Sequence, residues 1–264
     1  MPPDLYFALV LIVKMTVTAG FVLVATVTAE RAGPLVGGLV ATLPVGAGPV
    51  YVFLALDHDT HFIAASAIHS LAINALNMFF ALSYAWLAQT RSLRVSLGLS
   101  FVMWVALALL THAIAWSFAA AAIVNIVVAV ICVGLSRPLR HVRMPIFHAR
   151  WTDLAMRAVL VATLVGVVVT FSFQLGANGS GILAVFPVVL ISIMFILHSR
   201  VGGKPSAAVL ANAPLGLVGF GLACTMLHFT AEPFGNPIGL TLALATSVGW
   251  SLLMLLARRR GISV

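Results

Sequence analysis

The chain has 264 residues, of which 62% are hydrophobic and 8% charged, with a net charge of +8. Its mean hydropathy of +1.16 is far above that of a water-soluble domain of this length. Apolar runs of about 20 residues recur from end to end, each long enough to cross a hydrocarbon core of roughly 30 Å, and strand-period alternation is absent, which argues against an outer-membrane barrel.

Leu5 to Ala29 reads as a first helix, retained because Lys14 interrupts what would be a signal-peptide core and the run is too long for one. Pro34 to Leu56 is a second helix whose Gly37, Gly38, Pro44, Gly46, Gly48 and Pro49 predict a kinked or partly unwound middle. Asp57 to His61 is a loop, Phe62 to Ala88 a third helix, and Thr90 to Arg94 a basic loop. Val95 to Leu135 would make one helix of about 60 Å, twice the membrane core, so it divides near His112 to Ser117 into a fourth and a fifth. Ser136 to Asp153 is the longest loop. Leu154 to Phe173 is a sixth helix, Gln174 to Ser180 a turn, and Gly181 to Leu197 a seventh with Pro187 inside it. Ser206 to Phe229 and Ile238 to Ala257 are the eighth and ninth, separated by a turn at Thr230 to Pro237.

Nine crossings sort the loop charges. One side collects Arg31, Arg91, Arg94, Arg137, Arg140, Arg143, Arg150, Arg200, Lys204 and Arg258 to Arg260; the other holds Asp4, Asp57, Asp59 and Glu232. By the positive-inside rule this predicts a multi-pass protein of a bacterial-type inner membrane, N-terminus outside and C-terminus cytoplasmic, and it explains the basic residues without nucleic acid.

The stretch Gly38 to Pro44 (GLVATLP) recurs as Gly181 to Pro187 (GILAVFP), 181 − 38 = 143 residues on, and the same shift carries Lys14 onto Arg157. It superposes helices one to four on six to nine and leaves the fifth as a linker. Five crossings between equivalent points make the second copy enter from the opposite face. The predicted fold is therefore all-α and polytopic, two inverted four-helix repeats (residues 1–112 and 153–264) joined by a linker helix and basic loop (113–152).

At the Gly–Pro segment and the helix after it, from Gly33 to Ala88 and Ala177 to Phe229, the chain resembles the GlpM-like small inner-membrane proteins. The second copy carries the likeness best, through Gly181 to Pro187, Ile196-Leu197-His198 and the Ala-rich start of helix eight. The resemblance implies two joined family units and carries no activity with it. The plan of two inverted bundles is also similar to the drug/metabolite transporter superfamily, with four helices per unit in place of five.

Lys14 is the sharpest candidate for chemistry. An ammonium in a spanning helix either faces a cavity, where it binds an anion, or snorkels to the surface. Arg157 shares its place in the repeat, and an i,i+4 pair with Asp153 is its plainer reading. Pro44 and Pro187 free backbone carbonyls for a substrate, or simply kink their helices. Glycines 37, 38 and 181 read as helix-packing positions. His69, its repeat counterpart Asn212, and Asn74 with Asn77 are candidates for substrate contact or for interhelical hydrogen bonds. Asp57 to His61 reads as a solvated loop rather than a metal site. Cys132 and Cys224 read as buried thiols. No nucleotide-binding, hydrolase or zincin motif is present, so the expectation is a non-enzyme without cofactor or metal. The expected function is a secondary-type transporter or flippase for a small or amphipathic anion. The competing expectation is a non-transporting scaffold of an envelope assembly. Membrane lipid is the expected partner in either case, with a homo-oligomer or envelope partner open.

Overall fold

A computed structural model describes residues 3–31, 46–140 and 150–260. Pro44, Gly37 and Gly38 lie outside the described residues. The elements, in order, are α1 (Pro3–Arg31), α2 (Ala47–Asp57), α3 (Thr60–Leu87), α4 (Leu93–His112), α5 (Phe118–Ser136), a 3-10 turn (Arg137–Leu139), α6 (Trp151–Ala184), α7 (Val188–Val201), α8 (Gly203–Leu210), α9 (Ala213–Phe234) and α10 (Asn236–Arg259). Among the described residues there is no strand. Among the described residues, seven stretches are long and apolar enough to cross a membrane, as in a polytopic helical membrane protein.

One of the seven, Trp151–Val201, is 51 residues long and doubles back. Arg200 Nη2 donates to Asp153 Oδ1 at 2.6 Å, whereas an unbroken helix would part those residues by about 70 Å. The reversal is at Gly176, whose φ of 61° and ψ of −173° lie where a side chain is strained. The expected turn from Gln174 to Ser180 thus contracts to one residue, because a single glycine suffices and helix resumes at once. The turn expected at Thr230 to Pro237 contracts likewise: α9 runs to Phe234 with Pro233 inside it, and only Gly235 separates it from α10.

Two further interruptions fall inside predicted helices. The seventh breaks at Val185–Pro187 because Pro187 cannot donate to Leu183 O, which accepts instead from the amide of Phe186 at 3.0 Å. The eighth breaks at Ala211–Asn212, just ahead of Pro214. The division of Val95 to Leu135 is found where the length argument put it, between His112 and Phe118.

Burial separates two classes of helix. The most apolar windows of α3 (67% buried) and of the stretches holding α6–α7 and α8–α9 (61% each) form the interior. Those of α1, α4, α5 and α10 are 17–22% buried and present their outer faces to lipid. At the centre, α3 runs antiparallel to α8–α9. His61 meets Glu232 at 2.8 Å, His228 meets Ala64 O at 2.9 Å, Asn74 donates to Leu217 O at 2.8 Å, and Tyr84 meets Ser206 at 2.8 Å. As the number rises along one helix it falls along the other.

The bundle has two distinguishable ends. Asp57, His61, Glu232 and the His112–Asn178 contact mark one; Arg140, the Asp153–Arg200 pair and the approach of Gly203 to Ala88 mark the other.

Gly181 packs its Cα against the backbone of α3, so that a Cβ there would collide with Ser66 O. Small residues are what let membrane helices approach this closely. Gly181→Ala is expected to destabilise the purified protein by about 1–3 kcal/mol, read as a lower thermal unfolding midpoint in detergent, whereas Gly134→Ala, where a Cβ meets nothing within 4 Å, should leave it unchanged.

Candidate functional site

The break at Val185–Pro187 exposes a carbonyl inside the bundle, where hydrocarbon offers no water to satisfy it. Asn77 supplies the partner, its Nδ2 donating to Val185 O at 2.8 Å while its Oδ1 accepts from Trp104 Nε1 at 2.8 Å. Trp104 packs edge-on to Phe186 with ring centroids 5.1 Å apart, so the unwound residues are held by α3 and α4 together. One turn away, Ser70 Oγ donates to Gly181 O at 2.7 Å and meets the Tyr51 hydroxyl of α2 at 2.6 Å. The break at Ala211–Asn212 is served from the adjoining end, where Arg140 Nε donates to Ala211 O at 3.2 Å.

The start of α2 meets the start of α7 at this place. A Cβ on Gly46 would come within 3.3 Å of Val189 Cγ2. Two cavities flank the crossing and share Ala47 and Phe220 as a wall. The first, about 360 Å³, is lined by Asn77, Phe186, Pro187, Asn212 and Trp250 among others, and borders Gly46, the first described residue after 32–45. The second, about 400 Å³, lies between α1, α2, α9 and α10. Both volumes are at the small end of the range for ligand pockets.

Two partly buried ion pairs stand at opposite ends. At one, Lys14 Nζ meets Asp57 Oδ2 at 2.6 Å and lies 5.7 Å from the centre of the Phe53 ring. At the other, Arg200 meets Asp153 at 2.6 Å. The first joins α1 to the end of α2, and the second joins α6 to the end of α7, the helix that follows Pro187. Asp57 and Arg200 differ by 200 − 57 = 143, so the shift seen in the sequence equates two positions of opposite charge.

The sequence candidates therefore separate. Asn77, Pro187 and Asn212 line the first cavity. Lys14 is buried against Asp57 and neither faces that cavity nor snorkels freely, because a carboxylate is within reach on α2. Arg157 is half-buried one turn beyond Asp153, whose carboxylate holds Arg200 and caps the amide of Arg150. His69 Nδ1 lies 3.0 Å from Ala65 O on its own helix. Asn74 and Asn77, one turn apart, serve different neighbours, Leu217 O and Val185 O. Asn125 Nδ2 donates to Leu71 O at 2.9 Å, and Gly221 makes room for the Asn74 and Asn125 amides. The Asp57–His61 loop is largely solvated, as its sequence indicates: Asp59, which caps the amide of Phe62, and His61, which meets Glu232, are exposed, while Asp57 is half-buried against Lys14. The sequence marks Asp57 and Arg200 as loop charges of opposite sign; it gives no sign of their partners, Lys14 and Asp153, which lie 43 and 47 residues away.

Comparison with protein-family models, curated proteins and solved structures returned no match.

At the Asp57 end, His58 stacks on Phe62 with centroids 3.8 Å apart, and its Nε2 meets Ser172 Oγ at 2.8 Å. Burial lowers its pKa; Asp57 and Asp59 oppose the shift and Lys14 adds to it. With the folded pKa below the unfolded value of about 6.5, the contribution is complete above that pH and is lost as pH falls through the folded pKa. Thermal unfolding scanned from pH 7.5 to 5 should show stability falling below about pH 6.5, with a shallower fall in His58→Gln.

Proposed function

We propose that this chain is a secondary-type membrane transporter or flippase built from two inverted four-helix units. The observation that carries the reading is the hydrogen bond from Asn74 to Leu217 O, which joins positions 217 − 74 = 143 residues apart. A residue that touches its own repeat counterpart lies on the axis relating the two copies. Because α3 and α8–α9 run antiparallel there, that axis crosses the helices, as it must when repeats are inverted. Gly46 and Val189 are a second such pair, 189 − 46 = 143 apart, at the starts of α2 and α7. Two pairs of helix starts agree as well: 203 − 60 = 143 for α8 and α3, and 236 − 93 = 143 for α10 and α4. Nine crossings follow if the stretch ending in α2 crosses like its counterpart, and the charge distribution then places the Asp57 end outside and the Arg200 end in the cytoplasm. The likeness to the GlpM-like proteins belongs to this proposal and adds no substrate to it.

Such an arrangement has two related conformations, one the approximate inverse of the other. The ion pairs act as latches on them. Breaking Lys14–Asp57 frees the outer half of one broken helix, and breaking Asp153–Arg200 frees the inner half of the other. An anionic substrate suits a latch whose cation, Lys14, exchanges its internal carboxylate for an external one. The scaffold reading is favoured by one feature, that both latches are closed and neutralised in this structure; a scaffold would keep them so.

The two are told apart by single cysteines at Ala47 and Leu190, counterparts beside the crossing, on a background lacking Cys132 and Cys224. In Asp57→Asn, labelling by a membrane-impermeant thiol reagent should rise several-fold from the outer side and fall from the inner side. In Asp153→Asn the pattern should reverse. Sites that stay dark in both variants, or that rise from both sides together, would establish the scaffold.

A further inference from the structure

A cavity of about 400 Å³ lies between α1, α2, α9 and α10. Three of its wall positions carry small or aliphatic side chains, Ala223 and Leu227 of α9 and Leu244 of α10, where the 143-residue shift places Phe80, Tyr84 and Phe101. Phe80 and Tyr84 are fully buried. Elsewhere the lining is aromatic, with Phe21, Tyr51, Phe53 and Phe220.

Its lining specifies a ligand. No charged side chain takes part. The hydroxyls that line it already have partners: Thr18 donates to Lys14 O, Thr241 donates to Pro237 O, and Tyr51 meets Ser70. The donors of Thr18 and Thr241 are spent on their own helix, and the rest of the lining is almost wholly apolar, which favours hydrocarbon as the occupant. Val17 (57% exposed), Phe21 (51%) and Leu244 (51%) lie at its rim on faces that meet lipid, which opens it sideways to the bilayer. Lys14 lies on the same face of α1, one turn before Val17 and Thr18, and its Nζ sits 5.7 Å from the centre of Phe53, itself a lining residue. A chain lying in the cavity with its head toward the Asp57 end therefore brings that head to Lys14.

We propose that this cavity is the tail subsite for a single-chain amphiphile with an anionic head, entering from the outer half of the bilayer and binding Lys14 in competition with Asp57. The assignment deepens the transporter reading and rests on it for its meaning as a substrate site, but occupancy can be measured without transport.

The test uses the full-length protein in detergent micelles and a photoreactive palmitate carrying a diazirine in its tail, with labelled residues mapped by mass spectrometry. Label should concentrate on the α1, α2, α9 and α10 segments around the cavity and should saturate. Unlabelled palmitate should compete better than hexadecanol, and that advantage should vanish in Lys14→Gln/Asp57→Asn, which removes both charges together. Ala223→Phe/Leu227→Tyr installs the residues found at the equivalent positions of α3 and should cut labelling about tenfold, the loss expected when two methylenes can no longer be buried. An unfolding midpoint equal to the parent's shows that this variant folds. A variant that fails to fold is replaced by Ala223→Phe alone. Label spread evenly over the exposed faces of α4 and α5, or undiminished by the filling substitutions, overturns the subsite. Competition by hexadecanol equal to that by palmitate overturns the anionic head. Saturable labelling without the opposed cysteine responses at residues 47 and 190 would leave the subsite standing and remove only the transporter.

Discussion

A backbone carbonyl released inside a hydrocarbon core must find a donor within the protein, and the interior of this molecule is arranged around that requirement. Pro187 and Pro214 each stand at a helix interruption that a membrane would otherwise penalise by several kcal/mol for every unsatisfied group. Asn77 answers at Val185 and Arg140 at Ala211, while Asn74, Asn125 and Ser70 bind carbonyls of the neighbouring interior helices. The polar side chains that look like candidates for substrate chemistry are largely occupied in holding broken helices to unbroken ones. This cross-bracing fixes α3 against α8–α9 and keeps the starts of α2 and α7 in contact.

The symmetry we propose is imperfect in an informative way. The starts of α3 and α8, and of α4 and α10, agree under the 143-residue shift, while those of α1 and α6, and of α2 and α7, do not, and equivalent places differ in charge sign and side-chain size. Asp57 faces Lys14 where Arg200 faces Asp153. Opposite signs suit opposite membrane faces: the carboxylate-bearing end stays at the acidic surface and the guanidinium end at the basic one. Ala223, Leu227 and Leu244 line the second cavity at the positions that the shift equates with Phe80, Tyr84 and Phe101.

Much of this was legible in the sequence. Length against bilayer thickness divided Val95 to Leu135 correctly, because a helix cannot exceed its slab without a break. The repeated GLVATLP/GILAVFP stretch located the interruption at Pro187, because proline has one predictable effect on a helix. What escaped was tertiary. Glycine at 176 condensed a seven-residue turn (174–180) to a single position, which composition alone does not distinguish from a longer loop. Lys14 looked uncompensated because its partner lies 43 residues away at the end of another helix. The second cavity could not be seen at all, since Ala223 and Leu227 are ordinary in a membrane helix.

The central claim is that the two ends of the molecule open in opposition. It is tested most directly by spin-label distances in lipid nanodiscs, with one label pair at Tyr6 and Leu56 on the Asp57 end and another at Trp151 and Ser199 on the Arg200 end. The account predicts that Asp57→Asn lengthens the first distance and narrows the second toward its shortest population, and that Asp153→Asn does the reverse. Distances at the far end that do not respond to either substitution would contradict it, leaving two independent ion pairs in a static bundle.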